Sequence, residues 1–182
     1  MSRVSDVLFG LAEGQEGFFT TRQAAKEGVS RQSLVQAARR GTLERYQRGV
    51  YRLRHYPFSG GTAHYWEALL WPQVRSDVAA VLSHETALRL HGLSDVNPKQ
   101  VHITVPAGLR IQREIPPWVR VHYRDLAEGD IAHTEGMPVT TIERTLIDVA
   151  ADPAIGPATL HDAVADARRR GVVIPPEIAR LG

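Results

Sequence analysis

No cysteine occurs anywhere in this sequence. Disulfides and thiolate metal sites are therefore excluded, and a reducing compartment is compatible. No run approaches the roughly 18 apolar residues that a membrane span requires. The opening "MSRVSDVLFGLAEGQEG" holds only a brief apolar stretch with Asp6 inside it, too short and too polar for a secretory signal. A soluble cytoplasmic protein is expected. A phosphate-binding glycine loop, a GxSxG elbow, internal repeats and low-complexity tracts are missing as well. Nor is there a strong overall charge, since the formal net charge is +2.

What is present is an uneven placement of that charge. Hydrophobic content of 43% and charged content of 23% are ordinary for a globular chain, and 182 residues suit one domain or two small ones. Between Thr20 and Arg54 nine basic side chains meet only Glu27 and Glu44, a surplus of seven. From His55 onward, 15 acidic residues outnumber 12 basic ones. Such asymmetry points to an anionic partner for one segment.

Ser2 to Ala12 carries apolar residues at helical spacing (Val4, Val7, Leu8, Leu11). Thr20 and Gln23 match a capping box before a second short helix that Gly28 ends, and Ser30 caps a third running to Arg40 and Gly41. Two helices joined by "EGVS" have the spacing of a helix-turn-helix. Leu43–Tyr46 and Val50–Leu53 then flank "QRG", a hairpin turn. This is the element order of a winged helix. The module is small, and it is expected to lean on the remainder of the chain. The segment "HYPFSGG" reads as a linker. Beyond it come a helix at His64–Trp71, a short apolar run at Ala79–Leu82, a helix capped by Ser83, and strands at Val101–Pro106 and Val119–Tyr123. A capping box of Thr140 with Glu143 precedes another helix, and a last helix spans about Pro157 to Arg170. The fold class is α+β: a winged helix-turn-helix at 1–54, a linker at 55–63, and a mixed α/β domain at 64–182.

On a helical wheel, Leu34, Ala37 and Ala38 share one side of the third helix, while Gln32, Ser33, Gln36, Arg39 and Arg40 share the other. Arg31 lies toward the apolar flank but in the first turn, within reach of a phosphate. Arginine and glutamine can each make paired hydrogen bonds to base edges in a major groove, to guanine and adenine respectively. Arg39 and Arg40, at the far end, suit backbone phosphates. The hairpin is expected to bring Arg45, Gln47, Arg48 and Arg52 to one edge as a wing. A merely solvated basic face is the plain alternative; the combined order of capped helices, glycine turn and basic hairpin favours DNA.

No catalytic or metal site is expected. In "SHETALRLH" the zinc-protease spacing fails, because His84 and His91 are seven residues apart, about 10 Å, with no third ligand beside them. Glu143 and Asp148 share a helix, but Asp148 is equally placed to pair with Arg144 at i, i+4. A metal-dependent nuclease therefore lacks its ligand cluster.

Taken together, "GFFTTRQAAKEGVSRQSLVQAARRGTLERYQRGVYRL" is similar to the N-terminal winged helix of AbiEi-type antitoxins. The phrases "VLSHETALRLHGLSDVNPKQVHITVP" and "GMPVTTIERTLIDVA" resemble those of their second domain. The resemblance implies a non-enzymatic transcriptional repressor, without cofactor, that binds inverted repeats in duplex DNA upstream of its own operon. It also implies an AbiEii-type nucleotidyltransferase toxin as counterpart, opposed without a necessary stable complex. Carried onto this chain, the recognition helix is Ser30 to Arg40 and the wing Arg45 to Arg52. Some relatives continue into a nuclease-like domain; this chain stops at Gly182, so no activity of that domain is expected. Two other roles compete: a module that neutralises an acidic partner directly, and a regulator with no toxin.

Overall fold

The computed structural model describes residues 3–57 and 61–180. Ser2 of the expected first helix and residues 58–60 of the expected linker lie outside the described residues. The chain forms two compact units that divide between Ala80 and Val81.

The first unit opens with α1 (Arg3–Glu13), followed by β1 (Phe18–Thr20), α2 (Thr21–Lys26) and α3 (Arg31–Arg39). Thr20 and Gln23 form the expected capping box: the Thr20 hydroxyl accepts from the Gln23 amide at 3.1 Å, and the Gln23 side chain accepts from the Thr20 amide at 2.7 Å. Gly28 and Gly41 close the two helices with φ of +77° and +76°. The hairpin of β2 (Leu43–Gln47) and β3 (Val50–Leu53) follows. β1, which has no counterpart in the sequence reading, adds a third strand in the order β1-β3-β2, all antiparallel. Three residues are too few to show a strand period. One face of this sheet, with Phe19, Leu43 and Tyr51, joins Leu8, Ala12, Ala24, Leu34 and Ala37 in a single core.

The other face is also covered. α4 (Ala63–Leu70) packs near β1 within the first unit and buries Tyr65, Trp66, Ala68, Leu69 and Leu70. A 3₁₀ turn at Pro72–Val74 continues it. This corrects the expected boundary at 55–63, which assigned α4 to the second domain. A helix that buries five of its eight residues needs a partner surface, and the back of the small sheet supplies one. The expected linker is tied down too: the Tyr56 hydroxyl donates to the Glu13 carbonyl at 2.8 Å.

Gly49 fits this packing at the hairpin turn. Its φ is +89°, and a Cβ there would sit 2.4 Å from Val74 Cγ1 and 3.1 Å from Cγ2. Both the backbone conformation and the space require glycine. Gly49→Ala is expected to lower the stability of the first unit by about 1–3 kcal/mol, read as a shift in the urea midpoint, because positive φ and overpacking add.

The second unit is a five-stranded mixed sheet in the order β6-β5-β4-β8-β7. Its strands are β4 (Val81–Leu82), β5 (Val101–Val105), β6 (Val119–Tyr123), β7 (Ile131–Thr134) and β8 (Met137–Thr140). β5 pairs with β6 in parallel and with β4 antiparallel; β8 runs parallel to β4 and antiparallel to β7. The connection between the parallel strands β5 and β6, residues 106–118, is helix-free but long enough to cross from the end of one strand to the start of the next. The helices α5 (His84–His91), α6 (Ile142–Ala151), α7 (Pro157–Arg169) and α8 (Pro176–Ala179) share a core of Leu88, Leu146, Val149, Ala163, Val164 and Ile178. Pro157 opens α7 and Gly171, with φ of +73°, follows its end, as expected.

Two caps differ from expectation. Ser83 stands at the start of α5, but its hydroxyl does not bond the helix backbone; it accepts from Thr104 Oγ1 at 2.8 Å and meets His84 Nδ1 at 2.9 Å. The cap of α6 is Thr141, not Thr140, and accepts from the Arg144 amide at 3.3 Å. Thr140 is the last residue of β8, and its hydroxyl lies 2.7 Å from that of Thr145. Where two threonines adjoin, strand pairing decides which one remains extended and which begins the helix. Among the described residues no helix is long and apolar enough to cross a membrane.

Candidate nucleic-acid interface

α3 presents the face that the wheel anticipates. Leu34 and Ala37 are buried in the core, while Arg31, Gln32, Gln36, Arg39 and Arg40 are exposed. The Ser30 hydroxyl accepts from the Ser33 amide at 3.1 Å and lies 2.9 Å from the Ser33 hydroxyl. These two serines thus fix the start of the helix, which remains on the surface at Ser30 and half-buried at Ser33.

In the hairpin, Arg45 and Arg48 are exposed. Gln47 and Arg52 are not where a contact edge requires them. Gln47 is half-buried, and its amide donates to the Glu67 carbonyl of α4 at 3.2 Å. Arg52 is only 3% exposed. Its guanidinium donates to the carbonyls of Tyr56 at 2.8 Å, Glu16 at 3.3 Å and Pro57 at 3.3 Å, and it lies 5.7 Å from the centre of the Phe18 ring. Both expectations are corrected by the same cause: α4 and the segment before it cover the face of the sheet that holds these side chains.

The remaining cations divide into two groups. Arg22 and Lys26 of α2 both grip Asp77, at 2.7 and 2.5 Å. Hydrogen bonds from these two cations hold the Asp77 carboxyl well below the usual carboxylate range. Arg54 pairs with Glu44 at 3.5 Å. Arg31, Arg39, Arg40, Arg45 and Arg48, by contrast, enter no ion pair among the described residues. Five exposed arginines without internal counterions, carried by one helix and the hairpin after it, form a surface suited to an external polyanion.

The second unit holds the ionic groups that a nuclease reading would need, and they are engaged with one another. Asp148 is buried and pairs with Arg144 at 2.5 Å and Arg124 at 3.5 Å; Asp152 pairs with Arg120 at 2.9 Å. The expected i, i+4 pairing of Arg144 with Asp148 is therefore present. His91 Nε2 donates to the Thr140 carbonyl at 2.7 Å and so ties α5 to β8. His84, however, meets His102 and His122, with one ring nitrogen of each within 4.8 Å of the others. Spacings of 18 and 20 residues gave no sign of this. The only trace in the sequence is a histidine set inside each of two apolar strand segments, "VHITV" and "VRVHY".

Two family models match the chain: residues 6–54 match a transcriptional regulator described as AbiEi antitoxin, and residues 78–172 match the AbiEi antitoxin C-terminal domain. α4 falls in the interval between them. Among solved structures, the chain is similar to the RV2827C protein from Mycobacterium tuberculosis, at 19% identity and a TM-score of 0.57, over 98% of this chain and 70% of that one. This is a likeness of fold. No curated protein matches the chain significantly.

Proposed function

Because the chain belongs to the AbiEi family of antitoxins and transcriptional regulators, we propose that it binds duplex DNA through α3 and the β2–β3 hairpin and represses its own operon. The observation that carries this reading is the set of five exposed arginines that enter no ion pair among the described residues. In this reading Gln32 and Gln36 face base edges in the major groove, Arg31 reaches a phosphate beside the first turn, and Arg39 and Arg40 clamp the backbone at the far end. Arg45 and Arg48 hold the adjacent phosphates from the wing. The operator contains inverted repeats, the protein acts in the cytoplasm, and it performs no catalysis. Its counterpart is an AbiEii-type nucleotidyltransferase toxin, countered through regulation or function without a necessary stable complex.

The test is binding of the purified protein to its own upstream DNA and to scrambled DNA across a salt series. Selective binding with a steep salt slope is expected; equal, weak binding to both would reduce the arginines to a general electrostatic patch. Gln36→Ala is expected to relax preference at one base position by about 1–3 kcal/mol while leaving the salt slope unchanged. A loss that is uniform over all sequences would assign Gln36 to phosphate instead.

A second reading has one observation in its favour. A groove of about 880 Å³ in the first unit, lined by Val4, Phe9, Gln36, Arg40, Leu53 and Tyr56, borders α3. Phe9 on its wall is 50% exposed. A protein partner seated there would meet part of the same helix that DNA uses, and competition between operator DNA and the purified toxin would reveal it.

A further inference from the structure

The histidines of the second unit carry an inference independent of DNA binding. We propose that His84, His102 and His122 form a site for one divalent transition-metal ion of the zinc class, with the fourth coordination position open to water or an external ligand. The three come from separate elements: His84 starts α5, His102 lies on β5, and His122 lies on β6. β5 and β6 pair in parallel with His102 opposite Arg120 and Thr104 opposite His122. The two strand histidines are therefore diagonal neighbours on one face of the sheet. The β4–α5 junction brings His84 over that face, because the Ser83 amide donates to the His102 carbonyl at 3.1 Å.

The nitrogen geometry fits a small tetrahedral ion. His102 Nδ1 and His122 Nε2 are 3.1 Å apart. Zinc–nitrogen bonds of about 2.0–2.1 Å place two ligands of a tetrahedron about 3.3 Å from each other. On two of the three rings the opposite nitrogen is held as it usually is in ligand histidines. His102 Nε2 lies 3.4 Å from the Glu85 carboxylate, and His84 Nδ1 lies 2.9 Å from the Ser83 hydroxyl, which leaves Nε2 of His84 for the ion. The His84 and His122 rings are parallel at 3.5 Å, so convergence on one ion asks the His122 ring to turn. His122 is the least buried of the three, which gives it room.

Backbone and charge support the same assignment. His84 is buried, yet its φ is +51°. A non-glycine residue held in this region marks a position where the surroundings impose a side-chain direction. Burial pushes all three imidazoles below their usual range, His102 and His122 to about 4, with repulsion from neighbouring histidines added at His84 and His102 and from Arg120 at all three. The rings are neutral at physiological pH, the form that ligates metal. An anion site fits less well. Arg120 and Arg124 beside the cluster are already paired with Asp152 and Asp148, so no excess positive charge awaits an anion. Imidazole sets of this kind select zinc, copper or nickel over magnesium and calcium.

The experiment uses the full chain, stripped with a chelator and dialysed. Calorimetric titration with Zn²⁺ is expected to show one ion per chain, and loading with Co²⁺ to give the intense visible absorption of a tetrahedral site. His122→Ala is expected to weaken Zn²⁺ binding by more than about 100-fold, beyond the roughly 10–100-fold expected for Glu85→Gln in the outer shell. His133→Ala and His161→Ala, at exposed positions, should leave it unchanged. Circular dichroism checks that His122→Ala stays folded. If it does not, the cobalt spectrum of the parent protein decides by itself. Absence of stoichiometric binding, a six-coordinate cobalt spectrum, or binding lost with His133 or His161 would each overturn the proposal.

Discussion

Replacing Arg31, Arg39, Arg40, Arg45 and Arg48 together by glutamine is expected to abolish measurable operator binding while leaving the fold intact. Each phosphate contact contributes about 0.9 to the slope of log affinity against log salt. At roughly 0.15 M salt that amounts to about 0.7 log units per contact, so five contacts are worth about 10³–10⁴-fold, or 4–5 kcal/mol. The slope itself should fall by about four to five. None of the five side chains enters an ion pair within the described residues, and the inner face of α3 rests on Leu34 and Ala37. Stability should therefore change little. Single replacements distinguish the roles further: Arg48→Gln should reduce the slope by about one and weaken all sequences alike. Affinity and slope that survived the fivefold replacement would place the DNA on another surface.

Acidification is expected to destabilise the second unit steeply as pH falls from about 6.5 toward 4.5. The cause is the histidine trio. Buried among one another, with Glu85, Arg120, Arg124, Asp148 and Asp152 around them, these rings bind a proton far less readily than in the unfolded chain. In the unfolded chain each titrates near 6.5; in the folded unit His102 and His122 titrate at about 4, and His84 lower still. Between those limits the unfolded state holds more protons, so stability rises with pH and is lost as pH falls. Three unmatched protons correspond to about 4 kcal/mol per pH unit at the steepest point, against a total stability of roughly 5–15 kcal/mol. Urea unfolding in the presence of a chelator, followed through Trp118 at pH 7, 6 and 5, checks this. The midpoint should drop steeply over that range, and His122→Gln should remove about a third of the dependence. A flat profile from pH 7 to pH 5 would mean that the rings accept protons in the folded state, and that their burial costs little.

The two effects have different spatial logic. The arginines act because they stand apart from internal partners, and their influence is long-ranged and screened by salt. The histidines act because they are held together and away from water, where protonation has no compensation.

Much of the first unit was legible in local sequence. The Thr20–Gln23 capping box, the Ser30 cap, the stops at Gly28 and Gly41, and the turn at Gly49 each depend on side chains within a few residues, so a linear reading finds them. The apolar and polar sides of α3 follow from the helical period, and the segregation of positive charge into Thr20–Arg54 is a property of composition. What the sequence by itself determined is therefore the order of elements, their ends, and which helix offers a polar face. Tertiary structure decided what lies against what. Arg52 and Gln47 alternate along the hairpin like the exposed arginines, and only the placement of α4 and of the segment before it takes them from solvent. β1 exists as a strand because β3 offers it an edge, and Thr140 stays extended because β8 is paired. His84, His102 and His122 lie in three separated segments, and the parallel pairing of β5 with β6 and the turn into α5 bring them together. Local signals are set by bonds spanning one turn of chain; such a site is set by sheet register, which no single stretch of sequence contains.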